Sequence, residues 1–371
     1  MKVASVVGAR PNFIKLAAVH RAIKTFSEHT IIHTGQHYDY RLSEIFFKEF
    51  DLPKPDFNLG VGSGAPGFQI GEMLKRLQRI FDKVINKFDS VLVYGDTNST
   101  FAGALCAARS GIKVAHVEAG LRSFDKRMPE ETNRILTDIL SDYLFAPTSA
   151  ALQNLKREHV NGTVIHTGDV SVEIVRHAVE MLVPASQIVK RLKLNANNSP
   201  SYILTTIHRA ENTSSKENMI SLIQACKILS VKAKDLKIIF PIHPRTVGFL
   251  KHANLYTKLK ECKNVQLIKP LGYINFIALA MKAKKILTDS GGVQKESYLL
   301  RVPCITVRKN TEWVETVEVG ANILTDTNTD KIVRAVKDWN PRPRVFNKSR
   351  LIFGDGTASE KIKYSLMNTS K

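Results

Sequence analysis

Short runs of β-branched and other apolar residues alternate with helical patterns from one end of the chain to the other. In the first half the runs fall at residues 3–7, 30–33, 90–94, 113–117, 143–146 and 163–166. In the second they fall at 202–207, 237–242, 265–268, 285–288 and 303–307. Most are nearly continuous in apolar residues, as in strands buried on both faces of a parallel sheet. Helical periodicity lies between them, including 14–25, 68–87, 99–110, 132–141 and 216–231. Such alternation defines an α/β protein with doubly wound sheets. Eleven strands divide more naturally between two sheets than into one. A boundary follows Gly168-Asp169, and the charged, Asn-rich stretch 190–200 separates a helix from the first strand of the second half. No sequence repeat relates the halves. The basic tail, 351–371, carries a helix over about 358–367.

Composition removes several function classes. Lys and Arg exceed Asp and Glu by 54 to 34, a formal charge of +20. The lysines are spread in ones and twos, as at Lys282, Lys284 and Lys285, without a basic block, zinc finger or RNA-binding aromatic signature. Diffuse lysine of this kind is a solubility feature, and nucleic-acid binding stays a weak alternative. Cys106, Cys226, Cys262 and Cys304 form no CxxC pair and read as reduced, inert thiols. No stretch approaches the roughly 20 apolar residues that span a bilayer. The start, MKVASVVGARPNF, is a poor secretory signal. The expectation is a cytoplasmic enzyme that does not engage membranes.

Polar, chemically capable residues cluster just after the expected strands, at the edge where open α/β sheets bind ligands. In GARPNFIK, Gly8 and Ala9 turn out of the first strand and Pro11 suits a helix start. Arg10 and Lys15 either lie beside helix amides that favour an anion or make a surface salt bridge. In YGDTNST, Asp96 either caps the next helix or is free to act, since Thr97 and Asn98 can also cap. In HVEAGLRS, Glu118 falls at a strand exit before small residues. In MPEETNR, Glu130 and Glu131 open a helix, and one of them only complements the helix dipole. THRAEN places His208 past an apolar strand, and PIHPR places His243 and Arg245 likewise. In LTDSGGVQKES, Ser290, Gly291 and Gly292 join a strand to a helix as a phosphate cradle, with Glu296 positioned to accept from a sugar hydroxyl.

Absences narrow the chemistry further. There is no GxxxxGK[ST], and the formal GxGxxG at 62–67 contains Pro66 and follows no convincing strand, so a loop or lid is the better reading. There is no HExxH, His33 with His37 has no third ligand, and no Asp-x-Asp pair can hold a diphosphate through magnesium. No metal site is expected, so Arg, Lys, His and backbone amides have to meet phosphate charge.

GARPNFIK, YGDTNST, HVEAGLRSF, MPEETNR, THRAEN, PIHPR and DSGGVQKE occur together and in order, and by them the chain resembles the non-hydrolysing UDP-N-acetylglucosamine 2-epimerases over essentially its full length. The resemblance implies a GT-B-like architecture: two Rossmann-like domains, 1–169 and 170–356, facing across a cleft, with UDP on the second and a C-terminal helix, about 357–371, returning to the first. It implies Arg10 and Lys15 near the nucleotide phosphates, and Ser290, Gly291 and Gly292 around the diphosphate. Glu296 would hold ribose, Phe276 in GYINF would pack on uracil, and His243 joins this substrate-binding set. Asp96, Glu118, Glu130 and His208 match the family's proposed catalytic positions. Some bacterial members carry an acidic residue at Lys295, Arg at Ala210 and Glu at Asn12, and differ over 311–315. The forms here resemble a branch that includes archaeal enzymes and epimerases of UDP-linked diacetamido-glucuronic acid. Some members also have a regulatory substrate site near Gln36-His37.

The implied reaction inverts carbon 2 of a UDP-sugar. That carbon has no adjacent ketone, so its proton is barely acidic. The family route expels UDP from the anomeric carbon as the proton leaves, giving a glycal to which UDP re-adds. It needs no nicotinamide or other cofactor and no metal. A hydrolysing epimerase and a GT-B glycosyltransferase are the enzymatic alternatives, and the family suggests a homodimer.

Overall fold

The computed structural model describes residues 1–36, 47–83, 88–181, 187–192, 194, 202–346 and 352–368. The chain forms two compact units, Met1–Ile174 with Arg350–Lys371, and Val175–Ser349. Each contains one parallel sheet, which gives the α/β, doubly wound class that the alternation of elements dictates.

The first sheet has strands β1 (Lys2–Val7), β2 (Glu28–His33), β3 (Phe57–Asn58), β4 (Ser90–Tyr94), β5 (Lys113–Val117), β6 (Tyr143–Ala146) and β7 (Thr163–His166). Their spatial order is β3-β2-β1-β4-β5-β6-β7. The second sheet has β8 (Tyr202–Thr206), β9 (Lys237–Pro241), β10 (Val265–Ile268), β11 (Lys285–Thr288), β12 (Cys304–Thr306) and β13 (Asn322–Leu324), ordered β10-β9-β8-β11-β12-β13. Counted from the first strand of each, both sheets read 3-2-1-4-5-6, the dinucleotide-binding order, with β7 added to the first. The order reverses between β1 and β4, and again between β8 and β11. Those are the switch points where such sheets take ligands.

Two edge strands, β3 and β13, have no counterpart among the eleven runs read from the sequence. β3 is two exposed residues and β13 is three, too short to carry an apolar pattern. The helical run 68–87 is the helix Pro66–Lys83, and its last four positions lie outside the described residues. The linker 190–200 lies largely outside them as well.

In the first domain the core packs Ala4, Val6, Val91 and Val93 of the sheet against Met73, Leu77 and Phe81 of one helix and Ala102 and Cys106 of the next. That second helix, Asn98–Arg109, lies close on the sheet because Gly103 faces Val6 and Val93. A Cβ there would come within 3.0 Å of both. The second domain buries Ile203, Ile238, Phe240, Leu287 and Ile305 against Leu222, Leu229, Ile332 and Val336. The four cysteines are unbridged and buried. No helix among the described residues is long and apolar enough to cross a membrane.

The last helix, Ala358–Asn368, packs on the first, Arg10–Ile23. Glu173 anchors its start, accepting from the Ser359 amide at 2.8 Å and from the Ser359 hydroxyl. Beside it, Gly168 and Gly354 both adopt positive φ and approach so closely that a Cβ on either would meet the other's backbone at 3.0–3.2 Å.

Candidate active site

The carboxyl ends of β1, β4 and β5 assemble the first cluster. Ala9 is the N-cap of the helix Arg10–Ile23, and that helix carries Arg10, Asn12 and Lys15. Asn12 is 1% exposed. Its Oδ1 accepts from the amides of Gly8 (3.2 Å) and Ala9 (3.0 Å) and from Thr97 Oγ1 (3.2 Å), and its Nδ2 donates to the Tyr94 carbonyl (2.7 Å). The amides leaving β1 are therefore engaged by Asn12. Lys15 Nζ lies 2.6 Å from Glu118 Oε1, a charge-assisted pair with both side chains 9% exposed. Its ammonium is directed to a carboxylate of the cluster.

Backbone conformation makes room for that pair. Gly95 has φ 67°, and a Cβ there would stand 2.6 Å from Lys15 Nζ. Glu118 itself has φ 77°, a left-handed conformation that costs a non-glycine residue about 1–2 kcal/mol. Such strain gathers at functional sites. Below it, His116 is fully buried; its Nε2 donates to the Gly95 carbonyl at 2.8 Å, and Nδ1 lies 2.7 Å from Asp138. Burial raises the Asp138 pKa, but the hydrogen bond from His116 and the charges of His116 and Arg122 outweigh it and hold the carboxyl below its usual range.

Asp96 does not cap the helix Asn98–Arg109. Thr97 does, its side chain accepting from the Thr100 amide. The Asp96 carboxylate remains 27% exposed and pairs with Arg134. Arg134 also reaches Glu131 at 2.6 Å. Of the two glutamates opening the helix Pro129–Leu140, Glu131 is buried and structural: it accepts from the Ser123 amide (2.9 Å) and hydroxyl (2.8 Å) and from the Phe124 amide (2.9 Å). Glu130 is half-buried on the same turn. Asn133 ties that helix to the β4 exit by donating to the Asp96 carbonyl at 3.0 Å.

The second cluster lies at the ends of β8, β9 and β11. Ser290 occupies the N-cap position of the helix Gly291–Leu299. A Cβ at Gly291 would come 2.2 Å from Glu312 Oε1, so Glu312 would have to shift; at Gly292 the neighbour within reach among the described residues is Ser290 Oγ at 4.0 Å. Glu312 pairs with buried Arg308 at 2.8 Å and lies 3.4 Å from Arg209. Lys295 Nζ sits 4.3 Å over the ring of Trp313. Asp289 is fully buried and gathers the chain leaving β8: it accepts from the amides of His208 (3.1 Å) and Arg209 (3.0 Å) and from Asn212 Nδ2 (3.0 Å). The His208 ring is left 43% exposed, 6.3 Å between centroids from His243. His243 is exposed and caps the helix Pro244–His252, accepting from the Arg245 amide at 3.1 Å. Glu296 is 8% exposed on its helix, and Phe276 is buried on the helix Tyr273–Met281.

The first domain thus brings Lys15, Asp96 and Glu118 to adjacent strand ends, with the helix of Glu130 tied to them; the second groups His208, His243 and the Ser290–Gly292 turn. Sequence reasoning passed over Arg134 and Asp289 and noted Asn12 only as a departure. A polar residue at the third position of a strand-exit helix, and an acid directly before the Ser-Gly-Gly turn, were the available signals. No group of three metal-ligating side chains occurs among the described residues.

Two parallel sheets of dinucleotide-binding order, one with carboxylates at adjacent strand exits and the other with a Ser-Gly-Gly helix start, define an α/β protein of the Rossmann-like class. The family model described as UDP-N-acetylglucosamine 2-epimerase matches residues 21–367, and the chain belongs to that family. A UDP-N-acetylglucosamine 2-epimerase homolog of Methanococcus maripaludis is 50% identical over 99% of this chain and 100% of its own. The UDP-2,3-diacetamido-2,3-dideoxy-D-glucuronate 2-epimerase of Pseudomonas aeruginosa is 41% identical over 98% of each. The crystal structure of Methanocaldococcus jannaschii UDP-GlcNAc 2-epimerase in complex with UDP-GlcNAc and UDP is similar with TM-score 0.89 and 43% identity, over 99% of this chain and 100% of that one.

Proposed function

We propose that the protein interconverts UDP-N-acetylglucosamine and UDP-N-acetylmannosamine by eliminating and re-adding UDP through a glycal. The observation that carries this reading is the pairing of buried Glu118 with Lys15 at the end of β5, beside Asp96 at the end of β4. The C2–H bond breaks to a carboxylate, its electrons form the C1=C2 bond, and the C1–O bond breaks to release UDP. Return of a proton to the opposite face inverts carbon 2. Loss and gain on opposite faces call for two acid/base groups, drawn from Asp96, Glu118 and Glu130. In the second domain Ser290, Gly291 and Gly292 meet the diphosphate, His208 and His243 serve the leaving phosphate, Glu296 meets ribose and Phe276 meets uracil; in the first, Arg10 supplies positive charge for phosphate. Lys15 serves by holding Glu118.

A second reading, 2-epimerisation of UDP-2,3-diacetamido-2,3-dideoxy-glucuronate, is favoured by the Pseudomonas relative at 41% identity. The enzyme acts as a cytoplasmic homodimer in this proposal. Incubation with UDP-N-acetylglucosamine in heavy water, followed by NMR, tests it. Deuterium at carbon 2 of recovered UDP-sugar supports it; free sugar and UDP would indicate a hydrolysing enzyme, and no exchange with either substrate removes it.

A further inference from the structure

We infer that Asn12 is a positioning residue for the carbon-2 chemistry, acting through Lys15 and the turn that carries Asp96. The inference rests on the reading of Glu118 and Asp96 as proton carriers. Asn12 belongs to the helix leaving β1, yet two of its four hydrogen bonds reach the chain leaving β4: it donates to the Tyr94 carbonyl and accepts from Thr97 Oγ1. The other two accept from the Gly8 and Ala9 amides of its own turn. One buried amide group therefore fixes the separation of the two loops at the point where the strand order reverses.

That separation matters because Lys15 follows Asn12 by three residues on the same helix, almost one turn, and its ammonium passes directly over Gly95. The space is so tight that a single methyl at Gly95 would come 2.6 Å from Nζ. Gly95 directly follows Tyr94, whose carbonyl Asn12 holds at 2.7 Å, and Asp96 comes next. A shift of the β1 loop against the β4 loop moves Lys15 relative to Glu118 and Asp96 together. In this chain a neutral amide fills the role: it supplies a donor for one carbonyl and an acceptor for two amides and a hydroxyl. Aspartate offers the same shape and the same acceptors but turns an oxygen toward the Tyr94 carbonyl. Serine is neutral but too short to bridge.

The test is Asn12→Asp and Asn12→Ser in the full-length protein, with carbon-2 deuterium exchange measured against UDP-N-acetylglucosamine concentration, UDP binding by calorimetry and thermal melting. Misplaced reacting groups lower kcat by roughly 10- to 100-fold while KM stays within about twofold and UDP affinity is unchanged. If the charged variant does not fold, the serine variant reads the same split. Full kcat in a folded variant, or a rise in KM alone, overturns the role of Asn12. No exchange by the unaltered protein with either UDP-sugar removes the underlying reading as well.

Discussion

Lys15 Nζ and Glu118 Oε1 are 2.6 Å apart, and the carboxylate belongs to a residue with left-handed backbone. Deleting one member of a buried pair leaves an uncompensated charge, at about 3–5 kcal/mol. Lys15→Met is therefore expected to lower the melting temperature sharply, while Lys15→Met combined with Glu118→Gln regains much of the loss. Neither recovers activity: Glu118→Gln alone should reduce carbon-2 exchange by roughly 10²- to 10⁴-fold. Thermal melts and exchange rates on the three variants check this, and additive stabilities would show that the pair is not coupled.

The adjacent glutamates of the helix Pro129–Leu140 should separate cleanly. Glu131 satisfies two amides, a hydroxyl and Arg134, so Glu131→Ala is expected to cost about 3 kcal/mol or more in urea unfolding. Glu130→Gln should leave the unfolding midpoint in place and lower exchange. Equal stability losses in the two variants would contradict the division of roles.

Gly291 and Gly292 make a second contrast. Gly291→Ala drives a methyl into Glu312 and is expected to destabilise by about 1–3 kcal/mol. Gly292→Ala meets, beyond its own helix turn, no described residue closer than Ser290 Oγ at 4.0 Å and should melt like the wild type, yet it should weaken UDP binding if the turn cradles a diphosphate. Calorimetric titration with UDP decides; unchanged affinity would place the diphosphate elsewhere.

Acid sensitivity follows from the first domain's core. His20 and His29 meet Nδ1 to Nδ1 at 2.8 Å, and His29 continues through Ser5 to the Tyr94 hydroxyl. Burial, then the neighbouring His20, pulls the His29 pKa down to about 3; burial, Lys24 and Arg21 lower that of His20. Between the ordinary value of 6.5 and about 3, the unfolded chain takes up a proton that folded His29 refuses. Stability from this group is complete above pH 6.5 and declines toward acid, by about 1.4 kcal/mol per pH unit. The urea midpoint should fall from pH 7.5 to 5.5, and His29→Leu should flatten the dependence. The same slope in both proteins would exclude His29 as its source.

The parallel strands were legible because both of their faces are buried, which leaves unbroken apolar runs such as Ser90–Tyr94. The edges were not: Phe57–Asn58 pairs with β2 through two residues, and backbone bonds rather than composition define it. The carboxylates and the Ser-Gly-Gly turn could be read because strand exits are marked in sequence. The division between Glu130 and Glu131 could not, since it depends on loop amides at Ser123 and Phe124 that fold back seven or eight positions. Asn12 stayed obscure for the same reason, its decisive partner being a carbonyl 82 residues away.

The helix Ala358–Asn368 lies on the opening helix, with the whole of Val175–Ser349 between them in the chain. The second domain is thus threaded into the first as an insert. A ribosome delivers the closing piece of the first domain only after the second has emerged, so the earlier-made lobe waits longest for its final packing surface. Shortened chains that stop before Ala358 should keep an intact later-made lobe while the earlier one lies open along Arg10–Ile23.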